Sequence, residues 1–427
     1  MELIFLVGLL FALLLIGVPI AYSLGAASLA TFLLLGLPPV VPFQRMAAGM
    51  NVFTLMAIPF FVFAGDLMAR TGIAERLVRV AEAALGRTRG GLGQVDVGAS
   101  MMFGAVSGSA VASVSAMGST LMPMMKEKGY DADYAVNVTI TAAILGILIP
   151  PSHNMIIYAA ASPVSVSVAD LFLAGVVPGI LAGLALMFVA WRVAIKRNYP
   201  RGEFPGWDQF ARSLFGAIPG LMTAFIIVFG ILLGVFTPTE SSAVAVVYTI
   251  LIGAFAYRTL GPRRFLEAAS SAVKTTAMVM LIIGTASMFG WLFALLDGPS
   301  ALSNGLTAFS DSPVIVMLLI LLILLVLGAF MDMAPLIIIT TPIFLPVAMD
   351  AGVDPVHFGI IMLLNLGIGL VTPPVGAVLF VGCAVGGAKP ETVVKTIWPF
   401  YLALLAILLI VTFVPALSLW LPEAMAN

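Results

Sequence analysis

Apolar runs of about 20 residues, separated by short polar breaks, fill almost the whole chain. Runs of that length cross a bilayer as helices, and shorter runs broken by Gly and Ser predict re-entrant segments. In the first half the pattern predicts spans over residues 3–19, 21–37 and 52–69. A re-entrant hairpin over 92–125, a broken span over 133–160 and a span over 169–194 follow. The second half predicts spans over 215–236, 240–257 and 274–296. A hairpin over 313–349, a broken span over 355–384 and a last span over 392–421 complete it. Amphipathic segments at 74–86 (AERLVRVAEAALG) and 262–272 read as helices lying at the membrane surface.

The two halves register with each other without a gap at an offset of 223 residues. Pro123 falls on Pro346, Gly129 on Gly352, Asp131 on Asp354 and Gly146 on Gly369; Pro150-Pro151 falls on Pro373-Pro374. A hairpin followed by a broken helix, present twice, is the pattern of a secondary transporter. Each half crosses the membrane an odd number of times, because a hairpin enters and leaves by one side. The fold class expected is therefore an all-α polytopic membrane protein of two inverted repeats, each of five spans plus one re-entrant hairpin.

Charge fixes the orientation. Lysine and arginine collect in cytoplasmic loops. With the N-terminus outside the cytoplasm, every Lys and Arg except Arg45 falls in a cytoplasmic segment. Both termini are then periplasmic, the first hairpin opens to the cytoplasm and the second to the outside.

Composition narrows the class further. The chain is 62% hydrophobic and 9% charged, with a mean hydropathy of +1.17, which excludes a soluble globular protein. The apolar runs are continuous rather than alternating, which excludes a membrane β-barrel. A net charge of −1 gives no electrostatic footing for nucleic acid. The lone Cys383 forms no intramolecular disulfide, and His153 and His357 are too few for a metal cluster. No GxxxxGK[ST] phosphate loop occurs. An intramembrane enzyme would need a paired catalytic constellation, and the position matching Asp332 is Ser109, not a second aspartate.

The candidate chemistry lies at the hairpin tips and helix breaks. Backbone polar groups inside a membrane must face protein, water or an ion. Carbonyls freed at a broken helix suit a small hard cation, and half-helix N-termini suit an anionic substrate. The candidate Na⁺ ligands are Ser107, Gly108, Ser109, Gly146, Ile149 and Pro150 in the first half. Met331, Asp332, Gly369, Thr372 and Pro373 are the candidates in the second. No Lys or Arg lies deep in a span, so helix ends, hydroxyls and amides are left to hold substrate: Ser107, Ser109, Ser113, Asn154, Asn365 and Thr372. Asp332, ionisable at a re-entrant tip, reads as a cation ligand or a proton-linked carboxyl. Asp66 and Glu240 sit near span ends and read as water-facing. His153, just past a break, reads either as a packed histidine or as a substrate contact.

Several stretches carry a family resemblance across essentially the whole chain. They are IPFFVFAGDLM (58–68), FGAVSGSAVASVSAMG (103–118), GILIPPS (146–152), GVFTPTESSAVA (234–245), TPIFLP (341–346) and LNLGIGLVTPPVG (364–376). The sequence resembles the large membrane subunit of TRAP (tripartite ATP-independent periplasmic) transporters, the DctM-like family. The resemblance implies an elevator-type importer with Na⁺ as coupling ion, no other cofactor and no enzymatic activity. It also implies two partners in a bacterial or archaeal cytoplasmic (inner) membrane system: a small four-span membrane subunit and a periplasmic substrate-binding protein. The chain begins at the large subunit, so the small one is expected as a separate chain. Family substrates are organic acids: C4-dicarboxylates, sugar acids, sialic acid and 2-oxoacids. The first tip matches the family at Ser107-Gly108-Ser109 and the breaks at Pro150-Pro151 and Pro373-Pro374. The second tip, Met331–Pro335, matches more loosely.

The parts expected are scaffold spans over 1–70, a transport part over 71–198, linker and scaffold spans over 199–258, and a second transport part over 259–427. A stand-alone ion-coupled carboxylate carrier is the competing reading.

Overall fold

The computed structural model describes residues 1–202, 204–307 and 312–426. Among them the chain is all-helical, with seven helices long and apolar enough to cross a membrane, or up to ten if each bent pair counts as one span. The protein is a polytopic membrane protein.

The first third begins with two short apolar helices, α1 (Glu2–Leu15) and α2 (Ile20–Leu34), each stopped by a Gly in the left-handed region followed by Pro. A helix that the hydropathy pattern passed over, α3 (Val40–Met50), leads into α4 (Ala57–Arg70). The amphipathic segment forms α5 (Ile73–Leu85), with Ile73, Leu77, Val80 and Ala81 buried. The first hairpin is α6 (Gly91–Ser107) and α7 (Ala110–Glu127). The first broken span is α8 (Ala132–Ala143), α9 (Leu145–Leu148) and α10 (His153–Ala161), bent by 52° at the break. The half closes with α11 (Val168–Lys196).

The second half runs α12 (Trp207–Leu232), α13 (Pro238–Leu251), α14 (Pro262–Leu295) and α15 (Gly298–Thr307). Its hairpin is α16 (Pro313–Phe330) and α17 (Met333–Asp350), and its broken span is α18 (Pro355–Gly369) and α19 (Ala377–Gly386). The chain ends with α20 (Pro390–Thr396), α21 (Trp398–Phe413) and α22 (Ala416–Ala426). Shifted by 223 residues, α7 coincides with α17 at both ends, and α8 begins where α18 begins. Both breaks carry a cis X–Pro bond, Pro150-Pro151 and Pro373-Pro374.

Two expectations need correction, and one stretch given no element is helical. The surface helix at 262–272 and the span at 274–296 are one 34-residue helix, α14, because the run holds no Pro after Pro262 and no Gly before Gly284. The polar stretch after it is helical at α15, which lies at the register of α5. The last span, expected over 392–421, is bent by 56° between α21 and α22 at Val414-Pro415, and a separate 112° bend between α19 and α20 precedes it.

α14 lies against α2, α3 and α4, while α13 lies against α4 and α12. The hairpins and broken helices pack among themselves and on α11 and α21. At one end Arg197 clamps the start of α8, with Nη1 at 3.0 Å from Asp131 and Nη2 at 2.8 Å from Asp133. The hydrogen bond to Asp133 foremost, with the Tyr199 hydroxyl beside it, holds the Arg197 guanidinium above its ordinary range.

Candidate functional site

The first tip is built by a glycine. α6 stops at Ser107 because Gly108 takes φ +61, a left-handed conformation that its missing Cβ permits. Ser109 then caps α7, its side chain accepting from the Ala112 N–H at 3.4 Å. At the second tip Met331 is extended and Asp332 precedes α17 without a side-chain cap; Pro335 sits in the first turn, where its missing N–H costs little.

Each tip lies against its own break. A Cβ added to Gly108 would come within 3.1 Å of the Pro151 carbonyl and 3.3 Å of the His153 N–H nitrogen. Pro150 and Pro151 have no N–H to give the carbonyls of Gly146 and Ile147 one turn upstream. At the second break the Ala329 carbonyl accepts from Val375 and Gly376 at 3.1 and 3.2 Å, and Leu370 accepts from Val378 at 3.1 Å. Gly328 and Gly369 bring the two backbones together there, as Gly104 and Gly146 do at the first break.

Both tips open into one cavity of about 560 Å³. Ser107, Ser109, Asn154, Asp332 and Pro335 line it, with His153 beside them. The N-terminal ends of α7, α10 and α17 therefore converge on it and direct their positive dipole ends there. The Ser107 Oγ is buried without a hydrogen-bond partner. The Asn154 side chain donates to the Gly108 carbonyl at 3.4 Å, tying α10 to the first tip. His153 thus stands at the cavity rather than packed away from it.

Other expected residues do not reach the cavity. Ser113 is fully buried in α7. Asn365, also fully buried, donates to the Leu321 carbonyl at 2.8 Å and ties α18 to α16. Thr372 donates to Ile368 at 2.7 Å and lies 2.9 Å from the Tyr401 hydroxyl. Gly146, Ile149, Pro150, Met331, Gly369 and Pro373 form the backbone of the breaks and the second tip rather than the cavity lining. Among the described residues no three His, Cys, Asp or Glu come together to hold a metal ion, so a cation here would be held mainly by carbonyls and hydroxyls, with Asp332 as a single carboxylate at the second tip.

The opposite wall went unread in the sequence. Asp66 and Arg70 of α4 and Thr275 of α14 line it, and Arg70 pairs with Glu267 of α14 at 2.9 Å. Asp66, read from the sequence as water-facing near the end of its span, lines the cavity. A second omission is Asp96 of α6, fully buried, with the hydroxyls of Ser100 (3.4 Å) and Thr139 donating to it. The signal was a lone carboxylate inside the apolar run QVDVGAS.

Residues 7–417 match the family described as "Tripartite ATP-independent periplasmic transporter, DctM component". The chain belongs to the DctM family of TRAP transporters. It is a transporter component and not an enzyme. An uncharacterized protein of Salmonella typhimurium, YgiK, is 44% identical over 96% of this chain and 95% of its own length. The sialic acid TRAP transporter large permease protein SiaM of Vibrio cholerae is 38% identical over 97% and 96%. The isethionate TRAP transporter permease protein DctMQ of Oleidesulfovibrio alaskensis is 38% identical over 95% of this chain and 64% of its own. Two solved transporters share the fold at low identity. They are YdaH of Alcanivorax borkumensis (TM-score 0.56, 15% identity, 87% of each chain) and MtrF of Neisseria gonorrhoeae (TM-score 0.57, 14% identity, 87% and 83%).

Proposed function

We propose that this DctM protein is the large membrane subunit of a Na⁺-coupled importer of an organic acid. The acid arrives on a periplasmic binding protein, and a separate small four-span subunit completes the membrane part. The observation that carries the reading is the cavity where both hairpin tips and three helix N-termini converge. Carboxylate and sulfonate are the anions named for its relatives: C4-dicarboxylate, sialic acid and isethionate.

The coupling ions belong at the two junctions of tip and break. Ser107–Ser109 with Gly146, Ile149 and Pro150 form one. Met331 and Asp332 with Gly369, Thr372 and Pro373 form the other. The unpaired Ser107 hydroxyl supports the first. We place both termini on the periplasmic side of an inner membrane, which leaves Arg45 as the one cation there. The halves are then inverted repeats, a reading the 223-residue coincidence of α7 with α17 supports.

We assign the moving part of an elevator to the hairpins and broken helices, with α11 and α21. The scaffold is α1–α4 and α12–α14, and α14 joins it because of its packing on α2–α4. The test is uptake into liposomes holding this chain and its small subunit. A panel of organic acids is presented on candidate binding proteins, with and without an inward Na⁺ gradient. Uptake that needs both Na⁺ and one binding protein upholds the reading. Uptake of free acid without a binding protein favours a stand-alone carrier, and uptake indifferent to Na⁺ removes the cation assignment.

A further inference from the structure

The helices that line the central cavity continue past it and line a second one, of about 300 Å³. On α14, Thr275, Val279 and Ile282 face the first cavity, and Ile283, Ser287 and Trp291 face the second. On α10 the order is His153 and Asn154, then Ile157 and Ala160; on α17 it is Asp332 and Pro335, then Ile338 and Pro342. Three helices give one sequence of events, so the cavities lie end to end. From Thr275 to Trp291 the path along α14 is about 24 Å.

Arg45 stands on the lining of the second cavity, on α3. Its guanidinium carbon lies 4.6 Å from the centroid of the Trp291 ring. Trp291 is itself fixed, stacked on the buried Phe32 with centroids 5.5 Å apart and the rings within 1° of parallel. α3 and α14 are pressed together beside it: a Cβ on Gly49 would come 1.8 Å from the Ser287 Oγ. Among the described residues Arg45 makes no ion pair. A guanidinium engaged through its face keeps the N–H groups along its edge, and that edge matches carboxylate or sulfonate. Ile157, Ile283, Ile338 and Pro342 supply an apolar wall for the carbon skeleton. The volume is at the small end of ordinary ligand sites, roughly 300–1,000 Å³.

We propose that this second cavity is an anion-binding vestibule, in which Arg45, braced on Trp291, takes the carboxylate or sulfonate of a small organic acid. Its sidedness rests on the transport reading above: it is the periplasmic antechamber of the central cavity. Arg45 draws the acid in, and the run of Ile157, Ile283 and Ile338 separates it from the tips until the moving part shifts.

The test reads binding and does not need transport. In a variant whose only tryptophan is Trp291, the other four being replaced by Phe, iodide quenching is measured at constant ionic strength. Arg45 concentrates the anion on the ring, so R45Q should lower the quenching constant at least threefold, and R45K should restore part of it. Millimolar succinate or isethionate should protect Trp291 from iodide in the parent and not in R45Q. If the single-tryptophan chain does not fold, the same readings come from the difference between the native chain and W291F. Equal quenching in R45Q, or no protection by either acid, overturns the proposal. Either result leaves the uptake assay free to uphold the importer, and a failed uptake assay with intact protection leaves an anion site without the transport role.

Discussion

A Cβ built on Gly104 would lie 2.3 Å from the Cα of Gly146, so the first hairpin and the first broken helix meet backbone to backbone. The matching contact is nearly as close: a Cβ on Gly369 would lie 2.6 Å from the Cα of Gly328. Neither neighbour is a flexible side chain that could turn away. Gly104→Ala and Gly369→Ala should each cost about 1–3 kcal/mol of stability through overpacking. Each should also abolish Na⁺-dependent uptake by spreading a tip from its break. Gly216→Ala, with open space where its Cβ would go, is the control and should transport normally. Wild-type uptake in Gly104→Ala would show that this contact does not set the site.

Asn154 and Asn365 separate cavity chemistry from packing. Asn154 lines the cavity and Asn365 is sealed against Leu321. Asn154→Ala should raise the KM for the transported acid about tenfold, a loss of about 1.4 kcal/mol. Asn365→Ala should lower the denaturation midpoint, at a cost of about 1 kcal/mol for one hydrogen bond, with KM unchanged. Dose-response uptake beside a detergent melt distinguishes the two, and a KM effect in Asn365→Ala would reverse the assignment.

Asp332 is exposed to the cavity at the second tip. If it ligates a cation, Asp332→Asn should lower the apparent affinity for Na⁺ about tenfold, and raising Na⁺ should recover uptake. An unchanged Na⁺ dependence would remove Asp332 from the ion site.

Arg197 reaches two carboxylates at the start of α8. Its geometry toward Asp133 is two-pronged, at 2.9 and 2.8 Å, and Asp133 is largely buried. Arg197→Ala should destabilise by roughly 1.5–3 kcal/mol, the scale of hydrogen bonds to a charged group. Arg197→Lys should recover only part, since an ammonium cannot fork. Thermal unfolding in one detergent ranks the three chains.

The hairpins were legible because two independent signals agree on them. Small residues or Pro mark each tip, and the same spacing recurs after 223 residues; the predicted 313–349 became α16 and α17. The breaks were legible because paired prolines leave a helix no alternative. The extent of α14 was not. Arg263, Arg264, Glu267 and Lys274 made its first part look like surface, although nothing in the backbone chemistry interrupts it. α3 was hidden by its mixed composition, VVPFQRMAAGM, which is too short and too polar to register as a span. At the site, Ser107, Ser109, Asn154 and Asp332 could be picked because they sit at tips and breaks. Asp66, Arg70 and Thr275 could not, since they reach the cavity only through the packing of α4 against α14, which no local pattern encodes.

Helix α14 is about 51 Å long at the ordinary rise, whereas the hydrocarbon of a bilayer is about 30 Å thick. Its apolar portion, Thr275–Leu295, is about 31 Å and fits that thickness almost without slack. The charged third therefore stands in the headgroup layer, carrying Glu267 and its pairs with Arg70 and Arg263. Arg70 lines the cavity, so its pair with Glu267 ties the rod to the cavity wall, and the depth at which the rod rides governs the mouth. Thinner lipids must tilt the rod or push that collar outward, and thicker ones must draw it in. The acyl-chain length of the host membrane becomes, by this geometry, a setting of the transporter.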